Sequence, residues 1–367
     1  MTEWRAFEEN ALYPDCHARY YFYPFVVDPD VEIIIEGEYP CSRYMSYTVY
    51  GYNLQVIATA FDQMLIPNDG CVNTFEPYAN WQATNRSYTL KLQFIPPPQY
   101  VCPFVPGVGN NIFFVGALPN GQPNSWGILV YRIYVASEGG DEAGGALPKI
   151  TYRRIRDGKR LRIKNSKPFD MKAILQQSNQ ACCMPSNPIA NRTGALPPNT
   201  NGLTWTRPSY KQNLVLLGNP QGGYIYAPLY SSPTQYLCLR WKAPTFPDTY
   251  HNQPITGLEN MRYWSMSFVS KVGTATICTV ADYQTVLDEQ GFATLVVGFG
   301  APRPAFAIPE HGYTWIDLGN QPVKGVIYRN MVVSACFTCT AVNIPFGQQV
   351  SMQMGEYLPV GQYISGN

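Results

Sequence analysis

The chain contains an internal repeat, and no other feature of the sequence constrains the fold as strongly. The segment Arg43-Tyr-Met-Ser-Tyr-Thr-Val matches Arg262-Tyr-Trp-Ser-Met-Ser-Phe, and two later strand-like segments match so that Arg132 pairs with Arg329. The matching segments occur in the same order in the two halves of the 367-residue chain. Self-similarity of this kind predicts a duplicated domain.

Each copy has the pattern of short β-strands. Tyr88–Phe94 alternates apolar Leu90 and Leu92 with polar Thr89 and Lys91, the period of two expected of a half-buried strand. A composition of 27 Tyr, 30 Gly and 32 Pro with only 14% charged residues also favours strands joined by many turns. The sequence therefore predicts an all-β protein with two homologous β-sandwich or jelly-roll domains.

The repeat also predicts where the domains begin and end. A further pair of segments, Tyr21–Pro24 and Tyr224–Pro228, extends the match towards the start of each copy. A helical pattern occurs only at Pro168–Ser178, between the copies. The predicted units are a first sandwich (1–152), a basic linker with this short helix (153–215), a second sandwich (216–345) and a C-terminal arm (346–367). The arm either packs on its own chain or adds to a neighbour.

The strongest charge asymmetry lies in a block from Lys149 to Lys172, which has ten basic residues and two acidic ones. Such a block attracts polyanions or acidic protein surfaces. The simpler interpretation, which we favour, is a solvated connection whose charges balance the acidic N-terminal region. The basic residues predicted to face a partner are Arg153, Arg154, Arg156, Lys159, Arg160 and Arg162.

The sequence predicts no catalytic, cofactor or metal site. The three histidines, His17, His251 and His311, lack metal-binding or catalytic spacing, and we expect His311 to lie in a turn. Cys336-Phe-Thr-Cys339 is a single pair within a β-like run, without the second pair that a structural zinc needs. We expect no membrane binding, since no stretch reaches ~18 apolar residues. We also expect no nucleic acid as a partner.

The ten cysteines leave the compartment open. An even number suits a secreted protein with five disulfides, whereas buried reduced thiols suit a reducing compartment, which we slightly favour. The first ten residues are acidic and contain no apolar signal region. Either a targeting segment was removed or the protein stays in a reducing compartment.

The Arg-Tyr-x-Ser segments at Arg43 and Arg262, with the strands around Arg132 and Arg329, resemble those of uncharacterised bacterial jelly-roll proteins. As a tandem pair in a chain with little charge, they are also similar to the pyrenoid shell proteins of diatoms and related algae. That resemblance implies two β domains that assemble into sheets or tubes around a Rubisco condensate. It also implies a location in the chloroplast stroma and Rubisco or a pyrenoid scaffold as a partner.

The expected function is thus that of a non-catalytic structural protein that assembles with copies of itself and binds no cofactor. The residues predicted to form the contacts are Tyr21, Tyr23, Tyr224, Tyr226, Tyr357, Leu358 and Tyr363. A secreted jelly-roll enzyme or carbohydrate-binding protein is the main alternative, with an extracellular location. A viral capsid subunit is the second alternative, because it shares the assembly prediction.

Overall fold

The computed structural model describes residues 4–98, 111–137, 141–161, 202–208, 217–230, 233–350 and 352–365. These residues form four β-sheets, two in each half of the chain. The predicted all-β fold with two sandwiches is confirmed. The helix predicted at Pro168–Ser178 lies outside the described residues.

The strands of the first half are β1 (Arg5–Ala6), β2 (Ala18–Val26), β3 (Val31–Glu38), β4 (Ser42–Gly51), β5 (Val56–Phe61), β6 (Ser87–Gln93), β7 (Ile112–Phe114), β8 (Trp126–Ala136), β9 (Lys149–Arg154) and β10 (Arg160–Leu161). Those of the second half are β11 (Gly222–Pro228), β12 (Gln235–Lys242), β13 (Met261–Ser270), β14 (Thr276–Ala281), β15 (Phe292–Gly298), β16 (Thr314–Asp317), β17 (Val323–Val333) and β18 (Val360–Ser365). Short 3-10 helices span Asp62–Met64, Thr249–His251, Asp282–Gln284, Pro309–His311, Ala341–Asn343 and Met352–Tyr357.

The two halves have the same topology. In the first half one sheet has the order β1-β2-β8-β4-β5, and its counterpart in the second half has the order β11-β17-β13-β14. The other sheets are β10-β9-β3-β6-β7 and β16-β15-β12-β18. The pairing is antiparallel except for β6 with β7 and β15 with β16, which are parallel in both halves.

The register of the central strands confirms that Arg132 and Arg329 are equivalent residues of the repeat. Ser46 on β4 lies opposite Arg132 on β8, and Ser265 on β13 lies opposite Arg329 on β17. The match of Tyr21 with Tyr224 is wrong by one residue. Tyr20 is the residue opposite Arg132, as Tyr224 is opposite Arg329. Because side chains alternate across a strand, this shift moves Tyr21 to the other face of its sheet.

The predicted domain boundaries need correction on both sides of the linker. Strand β9 pairs with β3 on one side and with β10 on the other, so the first sandwich continues to Leu161. Trp205 is buried in the second core, where its indole N–H donates to the carbonyl of Pro359 at 2.7 Å. The C-terminal arm contributes β18, which pairs with β12 of the same chain as β9 pairs with β3.

Tyrosines fill much of the first core. Tyr47 stacks on Tyr131 with ring centroids 4.8 Å apart, and its hydroxyl lies 2.7 Å from that of Tyr88. Burial raises the pKa of all three phenols well above the ordinary value of 10.0, and their mutual repulsion in the ionised form adds to the shift. The phenols therefore ionise readily only after unfolding.

We expect alkali to unfold the protein cooperatively. Above pH 10 the unfolded chain loses tyrosine protons that the folded chain keeps, so stability falls by about 1.4 kcal/mol per pH unit for each such tyrosine. Absorbance at 295 nm and near-ultraviolet circular dichroism should change together. A gradual titration near pH 10, matching the protein in urea and leaving the dichroism intact, would contradict this expectation.

The two sandwiches pack against each other through their inner sheets, which gives four layers. Every residue of β4 and of β13 is buried, because each strand faces its own core on one side and the other half on the other. Tyr44, Tyr134 and Tyr263 meet between the halves, with ring centroids 5.5 Å apart for Tyr44–Tyr134 and Tyr134–Tyr263. The repeat thus forms a pseudo-two-fold pair within one chain.

Candidate functional site: the interface between the two halves

Two buried ion pairs cross the interface reciprocally. The repeat arginine of the first half, Arg43, donates to the carboxylate of Asp282 in the second half. The equivalent arginine of the second half, Arg262, donates to Asp62 in the first half at 3.0 Å. The matching Arg-Tyr-x-Ser segments therefore join the halves to each other.

Each aspartate is also fixed within its own half. Asp62 and Asp282 are the first residues of equivalent 3-10 helices that follow β5 and β14. The second carboxylate oxygen accepts from a backbone amide of the neighbouring central strand, Met45 at 3.0 Å for Asp62 and Trp264 at 3.2 Å for Asp282. Each carboxylate thus connects its own central strand to the arginine of the other half.

Burial dominates the electrostatics of these pairs. Both carboxylates are almost fully buried, and this burial raises their pKa above the ordinary value although the facing arginines act in the opposite direction. Ion pairs of this kind add little net stability over apolar residues, but the loss of one partner is costly. The arrangement specifies how the two halves dock.

In each half, the segment before the equivalent strands β2 and β11 crosses to the other half. Asp15 lies at the interface, and its carboxylate accepts from Arg329 at 2.5 Å and from the hydroxyls of Ser265 and Tyr263 at 2.7 and 3.0 Å. The carbonyl of Tyr13 in the same segment accepts from Arg329 at 3.4 Å. Asp15 therefore neutralises a buried arginine of the other half.

At the equivalent position, the segment of the second half that contacts the first half carries an amide, Asn219, instead of a carboxylate. Asn219 lies against the hydroxyl of Tyr44 at 3.0 Å, and the carbonyl of Leu217 accepts from Arg132 at 2.9 Å. Arg132 donates further to the hydroxyls of Thr48 and Tyr50 at 2.9 and 2.6 Å. Among the described residues no carboxylate bonds to Arg132. The two equivalent positions are therefore alike in geometry but differ in charge.

Two insertions break the symmetry and join the halves a second time. The loop before β6 in the first half and the loop before β13 in the second are much longer than their counterparts. Ile255 of the second insertion is buried in the first core, and its carbonyl accepts from the amide of Tyr78 in the first insertion at 2.8 Å. The guanidinium of Arg262 lies 5.7 Å from the ring centre of Phe75, also in the first insertion.

The predicted contact tyrosines lie mostly within the fold. Tyr23 and Tyr226 are buried, so the prediction that they contact another copy is wrong; their hydroxyls bond to Tyr152 at 3.1 Å and to the carbonyl of Lys324 at 3.1 Å. The remaining five candidates are half-buried and packed within the chain: Tyr21 on Tyr131, Tyr224 under Arg329, Tyr357 on Phe337, Leu358 against the second core, and Tyr363 bonded to the amide of Tyr230.

The basic candidates form part of the first sandwich rather than of a linker. Arg153 on β9 donates to Glu32 on β3 at 2.6 Å, and Arg154 donates to Asp157 at 3.0 Å. Arg156, Lys159 and Arg160 are exposed at the β9–β10 turn, and Arg162 lies outside the described residues. The pair with Glu32 matches the interpretation that these charges balance acidic residues of the first half.

The histidines and cysteines form no metal cluster within the described ranges. His17 lies between the carbonyl of Thr279 and the hydroxyl of Tyr283, each at 3.2 Å, and His311 ends a 3-10 helix at a turn, as predicted. Cys336 and Cys339 lie in turns after β17, which corrects their assignment to a β-like run. None of the seven described cysteines is paired with another described cysteine.

The sequence analysis missed the acidic side of the interface. Asp62 and Asp282 follow their Arg-Tyr-x-Ser segments at nearly the same distance, 19 and 20 residues, and this matched spacing is the signal that could have identified them. Asp15 and Asn219 differ in charge and precede segments of weak similarity, so their equivalence emerges only from the strand register.

The chain matches no protein-family profile and no curated protein sequence. Among solved structures, an uncharacterised protein from Burkholderia cenocepacia is similar, with 12% identity, a TM-score of 0.55, and coverage of 97% of this chain and 78% of that one. The VPA0106 protein from Vibrio parahaemolyticus has 12% identity, a TM-score of 0.48, and coverage of 96% and 90%. The first likeness shows that the fold extends over nearly the whole chain.

Proposed function

We propose that this protein is a non-catalytic structural subunit that assembles with copies of itself into a sheet, tube or shell. The observation that carries the proposal is the set of large apolar side chains that remain exposed after the two halves have packed together. In the described part of the chain, seven large apolar side chains are more than half exposed: Val26, Tyr78, Leu258, Val272, Phe346, Met352 and Val360. The chain also carries few charges, since only 14% of the residues are charged and the net charge is +1.

The buried ion pairs of the interface between the halves support the same proposal. Three Arg–Asp pairs are buried between the halves, those of Arg43, Arg262 and Arg329. Their charges fix the docking of the two sandwiches and are not available at the surface. The result is a pair of sandwiches joined by buried ion pairs, which suits a building block better than a freely hinged pair of domains.

The resemblance to pyrenoid shell proteins makes the periphery of a Rubisco-containing pyrenoid, in the chloroplast stroma, the proposed location. Rubisco or a pyrenoid scaffold is the corresponding proposed partner. The exposed Arg156, Lys159 and Arg160 at the β9–β10 turn are the cations through which an acidic partner would bind. No helix in the described part of the chain is long and apolar enough to span a bilayer.

Electron microscopy of the purified protein tests the proposal, with light scattering of the same sample over a range of salt concentrations. We expect sheets, tubes or very large particles that persist at high salt, because apolar contacts are not screened by ions. A variant with Arg156, Lys159 and Arg160 changed to Glu should assemble in the same way and lose only an acidic partner. A monodisperse monomer at micromolar concentration would contradict the proposal.

A further inference from the structure

The first half holds a buried arginine whose charge no carboxylate balances in the part of the chain that the structure describes. Arg132 is 2% exposed, and its guanidinium donates to the hydroxyls of Thr48 and Tyr50 and to the carbonyl of Leu217. These acceptors are all neutral. Residues 171–247, which include the segment before β11, contain no Asp or Glu. Because a buried charge is costly without a counter-charge, an anion bound at Arg132 would stabilise the fold.

The equivalent position of the second half shows which group such an arginine binds. One carboxylate oxygen of Asp15, Oδ2, accepts from Arg329 at 2.5 Å and from the hydroxyl of Ser265 at 2.7 Å. In the first half the amide of Asn219 takes the place of this carboxylate, and its Nδ2 donates to the hydroxyl of Tyr44 at 3.0 Å. An amide carries no charge, and its nitrogen cannot accept a hydrogen bond, so Asn219 does not neutralise the arginine of its site.

The hydroxyl of Ser46 is an independent sign of an acceptor at the same position. Ser46 is the counterpart of Ser265, because each serine lies opposite the repeat arginine of its own sheet. It is completely buried, and its Oγ has no hydrogen-bond partner within the described ranges. Burial raises the pKa of Tyr44, and Ser46 acts in the opposite direction, so the two hydroxyls are close although they form no hydrogen bond. Buried hydroxyls nearly always have a partner, and the partner of Ser265 is a carboxylate.

We propose that the first half binds one small monovalent anion, such as chloride, between Ser46, Arg132 and Asn219. The hydroxyl of Ser46 supplies one donor, and the second N–H of Nδ2 of Asn219 supplies another. Nη1 of Arg132 supplies the third, because it donates to Thr48 alone among the described residues, whereas Nη1 of Arg329 donates to three oxygens. Three donors, one of them charged, suit an ion that only accepts hydrogen bonds.

The bound anion does for the first half what the carboxylate of Asp15 does for the second. It neutralises the buried arginine and connects β4 and β8 of the first half to Asn219 of the second half. A ligand that binds only the folded chain stabilises it increasingly as the ligand concentration exceeds the dissociation constant. Anion binding is independent of the proposed self-assembly, because the site lies between the two halves of one chain.

Urea unfolding of the wild type in rising sodium chloride tests the proposal, with sodium gluconate added to keep the ionic strength constant. We expect the unfolding midpoint to rise steadily with the logarithm of the chloride concentration. Gluconate should not replace chloride, because it is too large for a site that the side chain of Asn219 already fills in part. Asn219→Asp should lose the chloride dependence, since its own carboxylate takes the place of the anion. Ser46→Ala should need about tenfold more chloride for the same rise, the scale of one lost hydrogen bond to a charged group.

Ser265→Ala is the matched control, because it removes the same hydroxyl from the half where Asp15 supplies the negative charge. It should lower stability and leave the chloride dependence of the wild type unchanged. Crystals grown in sodium bromide give a direct measurement that needs no variant, with an anomalous peak expected between Ser46 and Arg132. A wild type that responds equally to chloride and gluconate, a chloride dependence that survives in Asn219→Asp, or bromide crystals without this peak would each overturn the anion site. The self-assembly proposal would stand in all three cases.

Discussion

The Arg43→Met variant will have a free energy of unfolding about 3–5 kcal/mol below that of the wild type. Arg43 is completely buried, and its removal leaves the carboxylate of Asp282 in the interface without its cation. The side chain also lies 4.9 Å from the ring centre of Phe246, a contact that Met replaces only in part. Urea unfolding followed by tryptophan fluorescence and far-ultraviolet circular dichroism measures the change.

The loss should depend on pH in a defined direction. Burial already raises the pKa of Asp282, and removal of Arg43 raises it further, so the folded variant takes up a proton more readily than the unfolded chain. The variant therefore regains stability relative to wild type as the pH falls, because the protonated carboxyl carries no unpaired charge. The loss should be larger at pH 8 than at pH 5.

An exposed ion pair of the same chain provides the control. Arg19 donates to Glu142 at 2.8 Å, with 41% and 72% of the two side chains exposed. Arg19→Met should cost less than about 1 kcal/mol, because water screens such pairs. The double variant Arg43→Met with Asp282→Leu should lose less than Arg43→Met alone, since neither charge is then left unpaired. Equal costs for Arg43→Met and Arg19→Met would show that the buried pair does not join the halves.

The fold was predictable because strand periodicity and the repeat are local properties of the sequence. The predicted strand Tyr88–Phe94 differs by one residue from β6 (Ser87–Gln93), which alternates buried and half-buried residues as expected, and both Arg-Tyr-x-Ser segments lie on central strands. The predicted domain boundaries were wrong where residues far apart in sequence complete a sheet. β18 joins β12 only in the folded chain, and nothing in its composition distinguishes a last strand from an arm.

The interface was harder to predict than the strands. An arginine at the start of a strand is read from the sequence as a surface residue, yet Arg43 and Arg262 are buried because each meets an aspartate of the other half. Tyrosines were assigned to contacts between copies on their type alone. Tyr23 and Tyr226 instead bury their rings and bond their hydroxyls within the chain, which a pattern of apolar residues cannot reveal.

Asp15 and Asn219 occupy equivalent positions in the two halves. We expect Asp15→Asn and Asn219→Asp to change the free energy of unfolding in opposite directions. Asp15→Asn removes the carboxylate that neutralises Arg329, whose side chain is 4% exposed, and should cost about 3–5 kcal/mol of stability. Asn219→Asp places a carboxylate beside Tyr44 in the half where Arg132 has no carboxylate partner among the described residues. This variant should gain about 1 kcal/mol, the net scale of one intramolecular hydrogen bond.

Urea unfolding of the two variants and of their combination separates charge from shape. The combination keeps the number of carboxylates constant and moves one from Arg329 to Arg132, so its stability should lie between those of the single variants. If Asn219→Asp instead destabilised the protein as much as Asp15→Asn, the amide would be required at that place and Arg132 would need no counter-charge. The expected asymmetry follows from the duplication itself: the two halves provide equivalent positions before β2 and β11, and only the first fills its position with an acid, Asp15, where the second has Asn219.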